Sequence, residues 1–151
     1  MTPRRTDMTR LLLGAALLSC LTSGIVRADE MTGAAKPLDS VPFAADQDVA
    51  CLQSALETGN PETGPSTWIL KAPPGCLVPW HSHTAEEQLM VVAGTLLAEM
   101  TTHPPTLLGP GGFAVMGGHR AHQFTCQGTA PCAMFVTFDR AYDITWGKQA
   151  P

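Results

Sequence analysis

The chain has 151 residues, is 44% hydrophobic and 15% charged, and carries a formal net charge of −4. That composition belongs to a globular chain with one core and excludes a disordered one. Only nine Lys and Arg are present, three of them (Arg4, Arg5, Arg10) among the first ten residues, so no basic stripe is left to bind nucleic acid.

The N-terminus reads as an export signal. Arg4, Arg5 and Arg10 precede an uncharged apolar run from Leu11 to Val26, which Arg27 closes. The run is short for a membrane span of about 20 residues, and Ala28 supplies the small residue before a signal peptidase cut. Residues 1–28 are therefore predicted to be a signal peptide, with the mature chain starting at Asp29 in the periplasm or outside the cell. Leu17-Leu18-Ser19-Cys20 offers the alternative of a lipid anchor at Cys20; no other membrane association is expected.

Residues 29–48 mix Gly, Pro, Ser and acids without apolar periodicity and read as a linker or N-terminal arm, which leaves residues 49–148 as the domain. There the apolar runs are short: Val49 to Leu56, Trp68 to Lys71, Gln88 to Val92, Thr95 to Met100, Thr106 to Leu108, Phe113 to Met116, His122 to Thr125 and Ala133 to Phe138. None keeps helical spacing long enough for a helix, and Gly and Pro clusters such as Pro73-Pro74-Gly75 and Gly109-Pro110-Gly111-Gly112 separate them. The pattern predicts an all-β domain, a small sandwich or a barrel whose closure removes exposed sheet edges.

Cleavage after Ala28 leaves Cys51, Cys76, Cys126 and Cys132, an even number that allows two disulfides in an exported chain. Three pairings or four free thiols are open; Cys126 and Cys132 flank a loop of turn residues, which favours a bridge between them, with Cys51–Cys76 as the second and less favoured bridge.

The stretch from Gly75 to Gly94 carries the chemistry. His81 and His83 are two residues apart and Glu87 keeps their parity, so on an extended chain all three face one way, while Glu86 faces the other. Imidazole nitrogens with one carboxylate suit a divalent transition ion (Fe, Mn, Co, Ni, Cu or Zn) and leave positions for water or substrate. A further imidazole comes from His122, which shares its parity with Phe124 and Cys126. His103, beside two prolines, and His119, in a Gly-rich turn, read as surface residues.

Gly75, His81, His83, Glu87 and Gly94 match the first cupin motif, G(X)5HXH(X)3E(X)6G, at every defined position. Gly111 and His122 match the second, G(X)5PXG(X)2H(X)3N, where Gly117 replaces its Pro, His119 its Gly and Cys126 its Asn. His is enriched at positive φ, so His119 can still form the turn. The chain thus resembles small single-domain exported bacterial cupins. The resemblance implies a jelly-roll double-stranded β-helix and one metal ion held by His81, His83, Glu87 and His122. It also implies a metal-dependent enzyme, of which a dioxygenase acting on a small organic molecule is the first expectation. The alternatives are a redox-neutral isomerase, decarboxylase or hydrolase, and a non-catalytic module that binds a small ligand or the metal. No acid, base or nucleophile pair stands out beyond the ligands, and pairing into a homodimer is left open.

Overall fold

A computed structural model describes residues 33–148. The signal peptide expected over residues 1–28, with Cys20, lies outside the described residues. The compact unit that carries the candidate site spans Lys36–Pro151.

Among the described residues the chain forms a 3-10 turn at Leu38–Ser40 and then only strands. These are β1 (Ala44–Ala45), β2 (Gln53–Gly59), β3 (Ser66–Ala72), β4 (Leu77–Ser82), β5 (Glu87–Ala93), β6 (Thr95–Met100), β7 (His103–Leu108), β8 (Phe113–Met116), β9 (His122–Gln127), β10 (Cys132–Phe138) and β11 (Thr145–Trp146). β6 and β8 have the predicted bounds, and β2, β3, β5, β9 and β10 are shifted or extended by a few residues. His103, expected in a loop, opens β7.

All pairings are antiparallel, in two sheets ordered β1-β2-β3-β10-β5-β8 and β11-β4-β9-β6-β7. Alternation does the sorting. Along β5 the buried residues are Glu87, Leu89 and Val91, and along β9 they are His122, Phe124 and Cys126. The inner faces of the two sheets meet in one apolar cluster that includes Leu89, Val91, Leu96, Phe124, Met134 and Val136. The architecture is the expected all-β jelly roll, with one correction. Among the described residues the sheets are not hydrogen-bonded into a closed cylinder, so edges survive. They are blunted instead of abolished: β1 and β11 have two residues each, and the edge strand β7 carries Pro104 and Pro105, which cannot donate to an incoming strand.

The arm residues have partners in the structure. Ala44 and Ala45 pair with Ser54 and Gln53 at the margin of the first sheet, and Val41 and Val49 are buried. The Asp46 carboxylate accepts the N–H groups of Asp48 and Val49, both at 3.0 Å, and so fixes the bend that leads into β2.

Both expected disulfides are present, Cys51–Cys76 and Cys126–Cys132. One ties the chain entering β2 in the first sheet to the start of β4 in the second; the other ties β9 in the second sheet to β10 in the first. The bridges are neighbours, because the Cys126 N–H donates to the Cys76 carbonyl at 2.9 Å and the Gly75 N–H to the Cys126 carbonyl at 2.8 Å. They lie at the ends of β4 and β9 away from His81 and His122, about 13 Å along a strand that rises about 3.3 Å per residue. In the chain-entropy account a bridge stabilises more as the loop it closes grows, and the sequence separations here are 25 and 6 residues. Replacing Cys51 and Cys76 by Ser should therefore cost about 3.5 kcal/mol and replacing Cys126 and Cys132 about 2 kcal/mol. Denaturant unfolding of the two double variants checks the order, and a larger loss for the Cys126/Cys132 pair would contradict it.

Candidate metal centre

Four side chains from separate parts of the fold converge. His81 comes from the end of β4 and His122 from the start of β9, and the two are register partners in the second sheet. Glu87 opens β5 in the first sheet, where it pairs with Phe138 and Met116. His83 lies in the turn between β4 and β5. His81, His83, Glu87 and His122 are 4, 5, 4 and 1% exposed, so the cluster is buried, and their ligating atoms lie within 4.8 Å of one another. Glu86 stays outside, with its carboxylate hydrogen-bonded to Gln88. His103 and His119 are exposed and do not join the cluster.

Each imidazole is oriented by a backbone carbonyl. His81 Nδ1 lies 2.7 Å from the Pro79 oxygen, His122 Nδ1 lies 2.8 Å from the Arg120 oxygen, and His83 Nδ1 contacts the Asp143 oxygen. A carbonyl only accepts, so each Nδ1 carries a proton and donates it, and in the neutral ring each Nε2 is left with a lone pair. Two of these Nε2 atoms face the same Glu87 oxygen, at 3.2 Å from His83 and 3.1 Å from His122. Lone pairs facing a buried carboxylate at this distance call for a proton or a metal ion between them. Donors bonded to one ion at about 2.1 Å stand about 3–4 Å apart, so a first-row divalent ion fits this set with small adjustments. Carbonyl-anchored imidazoles are also the outer-shell arrangement that fixes metal-binding histidines.

The titration behaviour agrees. Burial, together with the neighbouring His122, lowers the His81 pKa to about 4. Burial opposes charge on His83 as well, but its hydrogen bond to Glu87 and the charge of that carboxylate outweigh it, and the pKa is raised above its ordinary 6.5. The Glu87 carboxyl, although burial works against its charge, is held well below the usual carboxylate range by hydrogen bonds with His122 and His83.

Residues outside the motif hold the turn that carries His83. The Asp143 carboxylate accepts the Thr84 N–H at 2.7 Å, and that of Asp139 accepts the Glu86 N–H at 2.9 Å. From the other side the His119 N–H donates to the His83 carbonyl at 2.7 Å. His119 has φ 63°, the expected conformation for the turn in which it replaces Gly. Gly118 is required there, because a Cβ would sit 2.6 Å from the Thr84 oxygen. The Tyr142 ring packs 5.2 Å from the His83 ring and its hydroxyl donates to Asp48 at 3.0 Å. Sequence reasoning did not find Asp139, Tyr142 or Asp143 as site residues; Tyr142 is the single Tyr of the chain, but the others act through carbonyls and turn N–H groups that leave no sequence pattern.

The cluster adjoins a cavity of about 570 Å³ whose lining runs from His81, His83 and Glu87 past Leu89, Phe124 and Met134 to Cys76 and Cys126. Tyr142 and the arm residues Asp46 and Asp48 line it as well.

Residues 68–138 match the family model Cupin_2, the cupin domain, so this segment is a cupin domain. No curated protein matches the sequence. Among solved structures, the polyketide cyclase RemF from Streptomyces resistomycificus is 13% identical with a TM-score of 0.65, over 76% of this chain and 85% of that one. A cupin-2 domain protein from Rhodospirillum rubrum, Rru_A2000, is 12% identical with a TM-score of 0.63, over 77% and 81% of the two chains. A chain from the crystal structures of the DMSP lyases RdDddP and RnDddQII is 22% identical with a TM-score of 0.58; 68% of this chain is covered, and the match spans only 56% of the lyase chain. At these identities the likeness is one of fold.

The protein purified from its native compartment should carry about one first-row divalent ion per chain. His83→Ala or His122→Ala should abolish its retention, Glu87→Gln should weaken it severely, and Glu86→Gln and His103→Ala should leave it unchanged. Protons compete with the ion for the imidazoles, so retention should fall as the pH drops. Elemental analysis of the variants after dialysis at several pH values checks both; equal metal content throughout would contradict the assignment.

Proposed function

We propose that the protein is an exported metal-dependent enzyme, of oxygenase type, that acts on a small organic molecule. One observation carries this reading: four buried donors, already aimed by carbonyls, adjoin a largely apolar cavity large enough for a small ligand. A divalent ion held by His81, His83, Glu87 and His122 would supply Lewis acidity and, if redox-active, the means to bring dioxygen and substrate together.

The residues themselves perform the remaining tasks. The single carboxylate of Glu87 lowers the charge of the centre by one and leaves it net positive with a divalent ion, which favours oxygen donors from a substrate. Leu89, Phe124, Met134 and Val136 keep water away from the reacting groups. The carbonyls of Pro79, Arg120 and Asp143 hold the imidazoles so that no reorientation is needed when a ligand enters.

A second reading, redox-neutral chemistry such as isomerisation, decarboxylation or hydrolysis, is favoured by Tyr142, which adds a hydroxyl to the cavity lining beside His83. That a polyketide cyclase and DMSP lyases share the fold supports retaining it.

Oxygen uptake by the metal-loaded protein with a panel of phenols, thiols and keto acids should reveal substrate-dependent consumption that a chelator and His122→Ala abolish. Turnover without oxygen uptake would replace the oxygenase by the redox-neutral reading, and no turnover of any panel member would favour a binding module. Export is supported by the two disulfides. The intact mass of the mature protein should correspond to a chain starting at Asp29, and a mass showing a lipidated Cys20 would contradict this.

A further inference from the structure

The charge of the cavity is one-sided. Asp46, Asp48, Glu62 and Glu87 are among its lining residues, and among the described residues no Lys or Arg is. The described basic residues are engaged elsewhere or face solvent: Lys36 pairs with Glu57 at 2.6 Å and Arg140 with Asp139 at 2.7 Å, Lys71 sits 3.9 Å over the Phe43 ring, Lys148 sits 4.6 Å over the Trp80 ring, and Arg120 is exposed. Asp46 and Asp48 form no ion pair among the described residues; their recorded partners are the N–H groups of Asp48 and Val49 and the hydroxyl of Tyr142. Hydrogen bonds of that kind stabilise the charged carboxylates without neutralising them, so the arm side of the cavity keeps its negative field.

The inner end has the opposite sign once an ion is held, because two positive charges meet only the one negative charge of Glu87. The distance between the two ends is short. Tyr142 touches the His83 ring with its own ring and Asp48 with its hydroxyl, so a single tyrosine side chain bridges the metal cluster and the arm. The aromatic faces of Trp68, Phe138 and Tyr142 line the same space, a surface suited to a cation as well as to an apolar group.

Resting on the reading of the cluster as a metal centre open to this cavity, we propose that the cavity selects its ligand by charge: an oxygen donor at the metal end and, one tyrosine length away, a cationic or neutral group facing Asp46 and Asp48. A ligand with an anionic tail is rejected, since no basic side chain lines the cavity to meet it. The arm that carries Asp46 and Asp48 is then a specificity element of the site and not only a margin of the sheet.

The test uses three hydroxamic acids with the same metal-binding head and tails of similar size: 3-(trimethylammonio)propanohydroxamate, its neutral tert-butyl isostere, and succinic acid monohydroxamate. The cobalt(II)-loaded full-length mature protein is titrated with each, and the visible spectrum of cobalt reports head-group binding at the metal. The trimethylammonium probe should bind at least tenfold more tightly than the carboxylate probe, with the neutral one between them. The ratio should fall toward one at high salt and in the Asp46→Asn/Asp48→Asn double variant, which keeps the acceptors that hold the arm and Tyr142. Equal affinities, a preference for the carboxylate, or a ratio unchanged in the double variant would overturn the proposal. A cobalt spectrum that responds to none of the three probes would overturn the open metal site itself, and the proposal with it.

Discussion

Three imidazole nitrogens and one carboxylate oxygen converge on a common, largely buried centre. Their lone pairs repel one another, and desolvation raises the cost of leaving any of them without a partner. Carbonyl groups already occupy the Nδ1 side of every ring, so turning an N–H group inward would break one of these hydrogen bonds. A cation at the centre resolves this. Hydrogen bonds with His122 and His83 hold the Glu87 carboxyl low, and the bond to Glu87 raises His83.

The rest of the fold follows from that constraint. His81 and His122 belong to one sheet and Glu87 to the other, so an ion at the centre is a cross-link between sheets that are not hydrogen-bonded into a cylinder. The two disulfides provide the corresponding links at the far end. Between these fixed ends the facing sheets enclose a cavity without needing to fill it, and the clamp of Asp139, Asp143 and His119 on the β4–β5 turn determines where His83 can stand.

Much of the site was legible because its rules are local. His122, Phe124 and Cys126 share a face simply because β9 is extended, and the spacing of His81, His83 and Glu87 matched a known motif. The parity argument for Glu87 over Glu86 selects the glutamate that faces the cluster, but by an incomplete route. The chain turns between His83 and Glu87, so parity does not carry across, and Glu87 faces inward because it shares a face of β5 with Leu89 and Val91. The missed elements lack sequence patterns. β1 and β11 are two residues long and defined by their partners, and β4 carries Pro79 and ends on two consecutive buried residues, His81 and Ser82. The contribution of the arm to the cavity depends on contacts between residues distant in sequence, Asp48 and Tyr142 above all.

The central claim is that all three imidazoles keep their Nδ1 protons on backbone carbonyls and bind the ion through Nε2. Proton NMR of the cobalt(II)-loaded protein observes those protons directly, because a bound imidazole N–H is shifted far from the protein envelope and is lost when water is replaced by D2O. The account predicts three such exchangeable resonances, all slowed in exchange because the rings are buried. Fewer than three, or an imidazole bound through Nδ1, would contradict it.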